Sequence, residues 1–355
     1  MVQDLVICRD PAGWPQAVLV EDGQPVEWIR PLPDTTARRQ DILEGRIESI
    51  DRALGAFIAI GEEENALLPH REVPPGSKPG QTILVQIRRL ITSPHPAADT
   101  AKGHLVTTRL QYPGLFAVYE PDPERIIRRS KLGLAPAPDQ DFLLAGETAW
   151  LESVHATVCS AAKAGGPVPR LIWRPRTVCA AALMDWARPD LRSIQCNDID
   201  LFTQLDTLVQ ERWPALRPVL TLCPESFDLV AAFRLGNLAQ EVNRRQVHLK
   251  NGASISFDQT EALLVIDVNT KKAQARDPED LRVKTNLLAA VEIARQLRLR
   301  NQAGIVVVDF IRLHSAEDRA ELVRFFSSEL KKDRGKITLG GLTRLGLFEL
   351  VRQVP

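Results

Sequence analysis

Apolar and polar positions fall into distinct regimes along this chain. Between about 38 and 112, short alternating runs follow one another: ILEGRIESID, ALGAFIAIG, NALLPH, TILVQIRR and GHLVTTRL. Alternation puts successive side chains on opposite faces of a strand. With turn residues between the runs, this stretch reads as a small β-barrel. Further along, ALLVI and GIVVV are apolar throughout and rich in β-branched residues, and each ends in an acid, Asp267 and Asp309. Such runs read as buried strands. Between them, DPEDLRVKTNLLAAVEIARQLRLRN carries a helical apolar stripe at Leu287, Val291, Ala294 and Leu297–Arg298. Asp277 is its expected N-cap and Pro278 its first residue. Glu279 and Asp280 in the first turn, and Arg295, Arg298 and Arg300 in the last turns, match the sign of the helix dipole at each end. A second helical segment is expected to follow the second strand and to end in GLFELVRQ.

The flanking regions say less. DLVIC and QAVLVEDGQPVEWI read as strands with an Asp-Gly turn, a hairpin without a core of its own. RIIRRSK, from Arg125 to Lys131, is a basic cluster that reads equally as a phosphate patch or a solvated face. APAPDQD, Ala135 to Asp141, reads as a linker, and the stretch after it as one helix ending at Gly165 and Gly166. His155 on that helix reads as a packing or surface residue. Residues 181–245 alternate helical and strand signals, and Arg244, Arg245, His248 and Lys250 gather at their end. These basic residues either line a nucleic-acid path or form an exposed face.

Strand, helix, strand usually means parallel strands joined by a right-handed crossover, and if the strands are neighbours their carboxyl ends lie side by side. Asp267 and Asp309 would then lie side by side, with Asn269 two residues past the first. Two carboxylates and an amide oxygen are hard donors that suit Mg²⁺. The plainer reading is helix caps or solvated loop residues, and the pattern alone leaves both open.

Composition narrows the class without naming a function. The chain is 25% charged and 44% hydrophobic, ordinary values for a globular protein of two or three domains. Its 45 basic and 45 acidic residues cancel, so a nucleic-acid surface would have to come from local clustering. No run is long enough to span a membrane, and no cationic leader opens the sequence. Cys8, Cys159, Cys179, Cys196 and Cys223 are scattered and form no CxxC pair, so free thiols in a reducing cytoplasm are expected rather than a zinc site.

TEAL (Thr260–Leu263), IDVN (Ile266–Asn269), TNL (Thr285–Leu287), EIARQLRLR (Glu292–Arg300), VDFI (Val308–Ile311), Asp333–Arg334, and LGL with Glu349 and Arg352 together resemble the catalytic region of the ribonuclease E/G family. The resemblance spans nearly the whole chain but is concentrated in 38–112 and 250–352. It implies a mixed α/β fold, with RNase H-like and DNase I-like subdomains and an inserted OB-fold RNA-binding barrel. The expected division is 1–37 for an N-terminal hairpin of the RNase H-like subdomain and 38–112 for the barrel. A reduced 5′-sensor-like region would occupy 113–180, the rest of the RNase H-like subdomain 181–245, and the DNase I-like catalytic subdomain 246–355. By the same resemblance, Asp267 and Asp309 hold a catalytic Mg²⁺ and Asn269 assists. Phe57, Leu67 and Lys102 contact single-stranded RNA, with Leu67 where the family has a second aromatic.

Departures from the family pattern temper this. Arg312 stands where DFIDM has a second acid, and Leu288 replaces the glutamate of TNLEAA. The resemblance also implies a 5′-monophosphate sensor built on an RTA-like motif, and no RTA triplet occurs here. A CPxC zinc motif would follow position 355, so no zinc-linked oligomer is expected, while a homodimer stays open. The sequence therefore leads to a cytoplasmic, Mg²⁺-dependent endoribonuclease of single-stranded RNA, leaving 5′-phosphate and 3′-hydroxyl ends. The alternative is a non-catalytic RNA-binding protein on the same fold.

Overall fold

The computed structural model describes residues 2–30, 37–89, 104–114, 117–128, 140–175, 177–188, 190–260, 262–270 and 278–353. The fold is mixed α/β and divides into two compact units. One comprises residues 1–11, 16–29 and 223–355, the other 12–15 and 30–222.

The second unit contains the barrel. Strands β4 (Ile42–Asp51), β5 (Gly55–Ala59), β6 (Ala66–Pro69), β7 (Thr82–Arg89) and β8 (Leu105–Thr107) run in the order β4-β5-β6-β8-β7, and β7 closes back onto β4. Ten-residue β4 makes closure possible: Ile42 to Arg46 face β7, while Arg46 to Asp51 face β5. The alternating pattern sends Ile47, Ile58, Leu68, Val85, Ile87 and Val106 inside. A small antiparallel sheet of β9 (Tyr112–Pro113), β10 (Ala117–Pro121) and β11 (Glu124–Arg128) packs with α1 (Gln140–Ala164) around Tyr112, Tyr119, Leu151 and Val158. Gln140 and Asp141, expected in a linker, open α1 instead. Residues 129–139, including the rest of the linker and the end of the basic cluster, lie outside the described residues; Arg125 of that cluster is ion-paired with Glu120. His155 packs edge-on against Tyr112, its Nδ1 2.9 Å from the phenol oxygen. The unit continues through β12 (Arg170–Trp173), which pairs with β4, α2 (Val178–Trp186), β13 (Ser193–Cys196), α3 (Ile199–Arg212) and β14 (Leu220–Leu222); β13 and β14 are parallel.

The first unit begins with β1 (Gln3–Arg9), β2 (Pro15–Glu21) and β3 (Gln24–Ile29). The β2–β3 hairpin turns through Asp22 (φ 46°) and Gly23 (φ 75°), the Asp-Gly turn whose double positive φ matches strand twist. Val6, Val18 and Val20 pack beneath α4 (Leu229–Ala232) and α5 (Leu238–Asn243) with Leu299. So the hairpin has a core after all, supplied by residues more than 200 positions away. The unit's second sheet contains β15 (Gln246–His248), β16 (Ser254–Gln259), β17 (Leu263–Asn269), β18 (Gly304–Asp309), β19 (Lys336–Leu342) and β20 (Leu347–Gln353), in the order β15-β16-β17-β18-β20-β19. Only β17 and β18 are parallel neighbours, joined by α6 (Pro278–Leu299). With α7 (Ala316–Leu330), α6 covers one face. The expectation of helix through GLFELVRQ fails because LFELVRQ has period two. Phe348, Leu350 and Arg352 point inward, and the segment is β20.

Of the expected apolar stripe of α6, Ala294 and Leu297 reach the core and Leu287 packs against it, but Val291 is 43% exposed; Ala289, Ala290 and Ile293 complete the buried face. Nor is Arg298 a surface cation for the helix dipole. It is 6% exposed, and its guanidinium donates to Glu21 at 2.9 and 3.0 Å and to Glu27 at 3.1 and 3.2 Å. Arg334 also pairs with Glu27. Arg295 binds Glu292, Glu241 and the Pro25 carbonyl. Arg352, 1% exposed, makes a two-pronged pair with Asp333 and donates to the Gln302 carbonyl at 2.7 Å. These arginines fasten α6 to the N-terminal hairpin and α5, and β20 to its neighbouring loops.

Removing one partner of a buried pair strands the other charge. Arg298→Met is expected to lower unfolding free energy by about 3 kcal/mol, read from the urea midpoint. Lys284→Ala, breaking an exposed pair with Asp280, should stay within about 0.5 kcal/mol.

Candidate active site

Alternation along β17 buries Leu264, Ile266 and Val268 beneath the helices. Asp267 and Asn269 therefore share the opposite, open face. On β18, Val306 and Val308 go inward and Asp309 outward. The parallel register sets Asp267 directly beside Asp309, so the structure brings the two predicted acids together at the carboxyl ends of adjacent strands. Asn269 joins them: its amide Nδ2 donates to Asp267 Oδ2 and fixes the orientation of that carboxylate. The acidity of Asp309 is weakened, its pKa raised above the usual carboxylate value, first by desolvation and then by the negative charge of Asp267.

Loops around this pair are held from α6. Phe310, immediately after Asp309, enters the core edge-on to Phe326, with centroids 5.4 Å apart. Asn286 is fully buried and grips the backbone of Ile311 twice: its Nδ2 donates to the carbonyl at 2.7 Å and its Oδ1 accepts from the N–H at 3.0 Å. Its neighbour Thr285, also buried, accepts through its hydroxyl from Asn251 Nδ2 at 2.8 Å, tying down the β15–β16 turn. Glu279 accepts from the His314 backbone at 3.0 Å, and Arg282 contacts His314 Nε2 at 2.8 Å. Sequence reading used TNL as a family signature and missed this role; two polar residues within a helix's core stripe are the signal that could have shown it.

Strand direction places two hairpin turns on either side of the acids. Ser254, opposite Asn269, brings the β15–β16 turn to this end, and Leu347, opposite Asp309, brings the β19–β20 turn. His248, Lys250, Arg312, His314 and Arg344, all exposed, lie on these segments or on the loop after β18. Arg244 and Arg245 are exposed nearby in sequence, but Arg245 is paired with Asp258 at 2.5 Å. Among the described residues no group of three or more His, Cys, Asp or Glu forms a metal cage. The donor set is thus two carboxylates, the kind of site where waters and substrate oxygens complete the shell of a hard cation.

On the barrel, Phe57 and Leu67 are cross-strand partners, and Leu67 is paired in turn with Leu105. Phe57 and Leu67 alternate with the buried residues Ala56, Ile58, Ala66 and Leu68, so they face outward rather than into the barrel. Lys102 lies outside the described residues. An Arg-Thr pair does occur in the region that lacks an RTA triplet: Arg176–Thr177, followed by Val178. Arg176 is outside the described residues, and the Thr177 side chain accepts from Ala180 N–H as the N-cap of α2.

Paired carboxylates thus stand at the carboxyl ends of two parallel strands, on the open face of a helix-backed mixed sheet. The family model of the ribonuclease E/G family matches residues 137–354, and the chain belongs to that family. Ribonuclease E of Haemophilus influenzae is 27% identical over 358 residues, covering 90% of this chain and 38% of its own length. Ribonuclease E of Escherichia coli K12 is 27% identical, covering 90% and 34%. Ribonuclease G of the same organism is 26% identical, covering 88% of this chain and 72% of its own length. The chain thus spans well under half the length of these two ribonuclease E relatives.

Because Asp309 is harder to ionise in the fold than in the open chain, its ionisation costs stability as pH rises from the ordinary carboxylate range through its raised value. Asp309→Asn is therefore expected to raise the melting temperature at pH 7 in divalent-free buffer, by on the order of 1 °C after solvent screening. The gain should vanish at pH 3, below the ordinary carboxylate range, where Asp309 is protonated in the fold and in the open chain alike. Melting curves at the two pH values check this.

Proposed function

We propose that this chain is a Mg²⁺-dependent endoribonuclease that cuts single-stranded RNA in cytoplasmic RNA processing or decay, leaving 5′-phosphate and 3′-hydroxyl ends. The observation that carries the reading is the Asp267–Asp309 pair in register on neighbouring parallel strands. Asp309 is harder to ionise there, by desolvation first and then by the charge of Asp267, so a cation would relieve it, and the pair's two hard oxygen donors fit Mg²⁺. Asp267 and Asp309 would hold the ion, which when bound supplies an acidified water and charge neutralisation at the phosphoryl oxygens. Asn269 keeps Asp267 aimed. The exposed cations Lys250, Arg312 and Arg344 draw the phosphate backbone toward the acids. Names of the relatives, ribonuclease E and ribonuclease G, support the same reading.

The barrel is read as the strand-binding element. An outward Phe57 beside Leu67 offers a surface on which bases stack without sequence preference, as OB-type barrels do. Lys102 is assigned to the same surface on the family resemblance alone. The RNase H-like and DNase I-like subdomains belong to this reading too, the latter carrying the acid pair. No helix among the described residues is long and apolar enough to cross a membrane.

One observation favours a second reading. Arg312 places a cation three residues after Asp309, where it could occupy the acids' field in place of a metal. The protein would then bind RNA without cutting it.

Incubating the purified chain with end-labelled, AU-rich single-stranded RNA decides between them. Internal cuts are expected with Mg²⁺ and none with EDTA. Asp267→Asn and Asp309→Asn should each lower the rate about 10²–10³-fold, and Asn269→Ala about 10–100-fold. Binding without cleavage at any Mg²⁺ concentration would establish the second reading. Separately, Phe57→Ala should weaken RNA binding in EDTA by about 1–3 kcal/mol, measured by anisotropy.

A further inference from the structure

The β19–β20 turn ends in an apolar side chain with no apolar cover. Leu345 is 89% exposed, while among the described residues none of the other exposed large hydrophobics exceeds 63%. The turn beneath it is well fastened. Thr343 N–H donates to the Leu347 carbonyl at 2.7 Å, Gly346 N–H to the Thr343 carbonyl at 3.0 Å, and Leu347 N–H to the Thr343 hydroxyl at 3.1 Å. Gly346 sits at φ 91°, a conformation that L side chains rarely adopt. Leu345 is therefore presented on a short, internally bonded turn. Its position is set by register: Leu347, two residues on, pairs with Asp309. Two Cα steps of about 3.8 Å and one strand spacing of about 4.8 Å keep Leu345 within about 12–13 Å of the acid-bearing position.

The geometry points to Leu345 as a nucleobase contact of the active site, an apolar tip on which the base of a nucleotide next to the scissile phosphate rests. This rests on the endoribonuclease reading and adds the element that holds the strand at the cut. Charge supports an RNA occupant. Arg344 precedes Leu345 on the same turn, and Arg312 and His314 lie on the loop after Asp309. A cation for the phosphate and an apolar face for the base, side by side, match the alternation of groups along a single strand. A site that carries only phosphate cations holds a strand loosely. A base contact beside it fixes which phosphate lies over the acids.

The test uses the full chain carrying Asp309→Asn, with RNA oligonucleotides in EDTA so that nothing is cut. One set is intact; the other carries a single abasic nucleotide stepped across the strand. Leu345→Ser is expected to weaken binding of intact RNA about three- to tenfold, and Leu345→Phe to restore or tighten it. One abasic position should weaken binding to the Leu345 protein and leave Leu345→Ser indifferent, because the contact is already gone. In the cleaving protein, Leu345→Ser should spread the cut sites over neighbouring phosphates with the Mg²⁺ requirement unchanged. If Leu345→Ser binds and cuts as the parent does, or loses the same factor on every abasic strand, the proposal is overturned while the nuclease reading stands, and the tip is a contact for a protein instead. If the parent neither binds nor cuts RNA, both readings fall together.

Discussion

Two carboxylates held side by side repel each other, and the sheet that carries Asp267 and Asp309 is arranged so that they cannot move apart. Each acid lies between inward-facing apolar residues, Ile266 and Val268 around one, Val308 and Phe310 around the other. Rotating either acid away would drag a core side chain into water. The parallel β17–β18 ladder then sets the spacing, and Asn286 pins the chain just past Asp309 through both hydrogen-bonding groups of Ile311. The raised pKa of Asp309 comes first from desolvation and then from the charge of Asp267 that this constraint keeps beside it. A cation between the oxygens would turn the same arrangement from a strain into a binding energy.

Most of the residues that give this chain its family signature are not chemical. EIARQLRLR contributes Ile293, Ala294 and Leu297 to the core and Arg295 and Arg298 to buried ion pairs. Asp333 and Arg352 form another such pair, and Arg334 pairs with Glu27. Buried ion pairs add little net stability because desolvation offsets attraction, but they punish any other packing. Arg298 meets Glu21 and Glu27, residues more than 270 positions earlier, and so fixes which hairpin lies against α6. Among the matched residues, Asp267, Asn269 and Asp309 bring the polar groups to the open side at the strands' ends, with Leu347 directly opposite Asp309. Thr285 and Asn286 are intermediate in kind, buried but acting on the two loops that border the acids.

The barrel illustrates the same division within one strand. Along β5 and β6, Ala56, Ile58, Ala66 and Leu68 make the interior, while Phe57 and Leu67 meet on the outside. A phenylalanine in an apolar run is ambiguous until the pairing of its strand is known, because a shift of one residue would exchange the two faces.

Periodicity alone was enough for much of this protein. Alternation identified the barrel strands, the continuous β-branched runs identified β17 and β18, and Asp22–Gly23 marked the hairpin, since each is a local rule of backbone geometry. The juxtaposition of Asp267 and Asp309 was legible conditionally: a strand-helix-strand unit makes the strands parallel, while the structure supplies the adjacency and register that set the acids side by side. Other features needed distant partners. LFELVRQ read as helix because an inward arginine at Arg352 hid its period of two, and only Asp333, brought close by the fold, makes that burial tolerable. Arg298 looked like a helix-end cation until the N-terminal hairpin supplied Glu21 and Glu27. The exposure of Leu345 was invisible in the sequence, where a leucine between Arg344 and Gly346 carries no period. Local sequence decides which way a side chain alternates; only the tertiary structure decides what, if anything, it meets there.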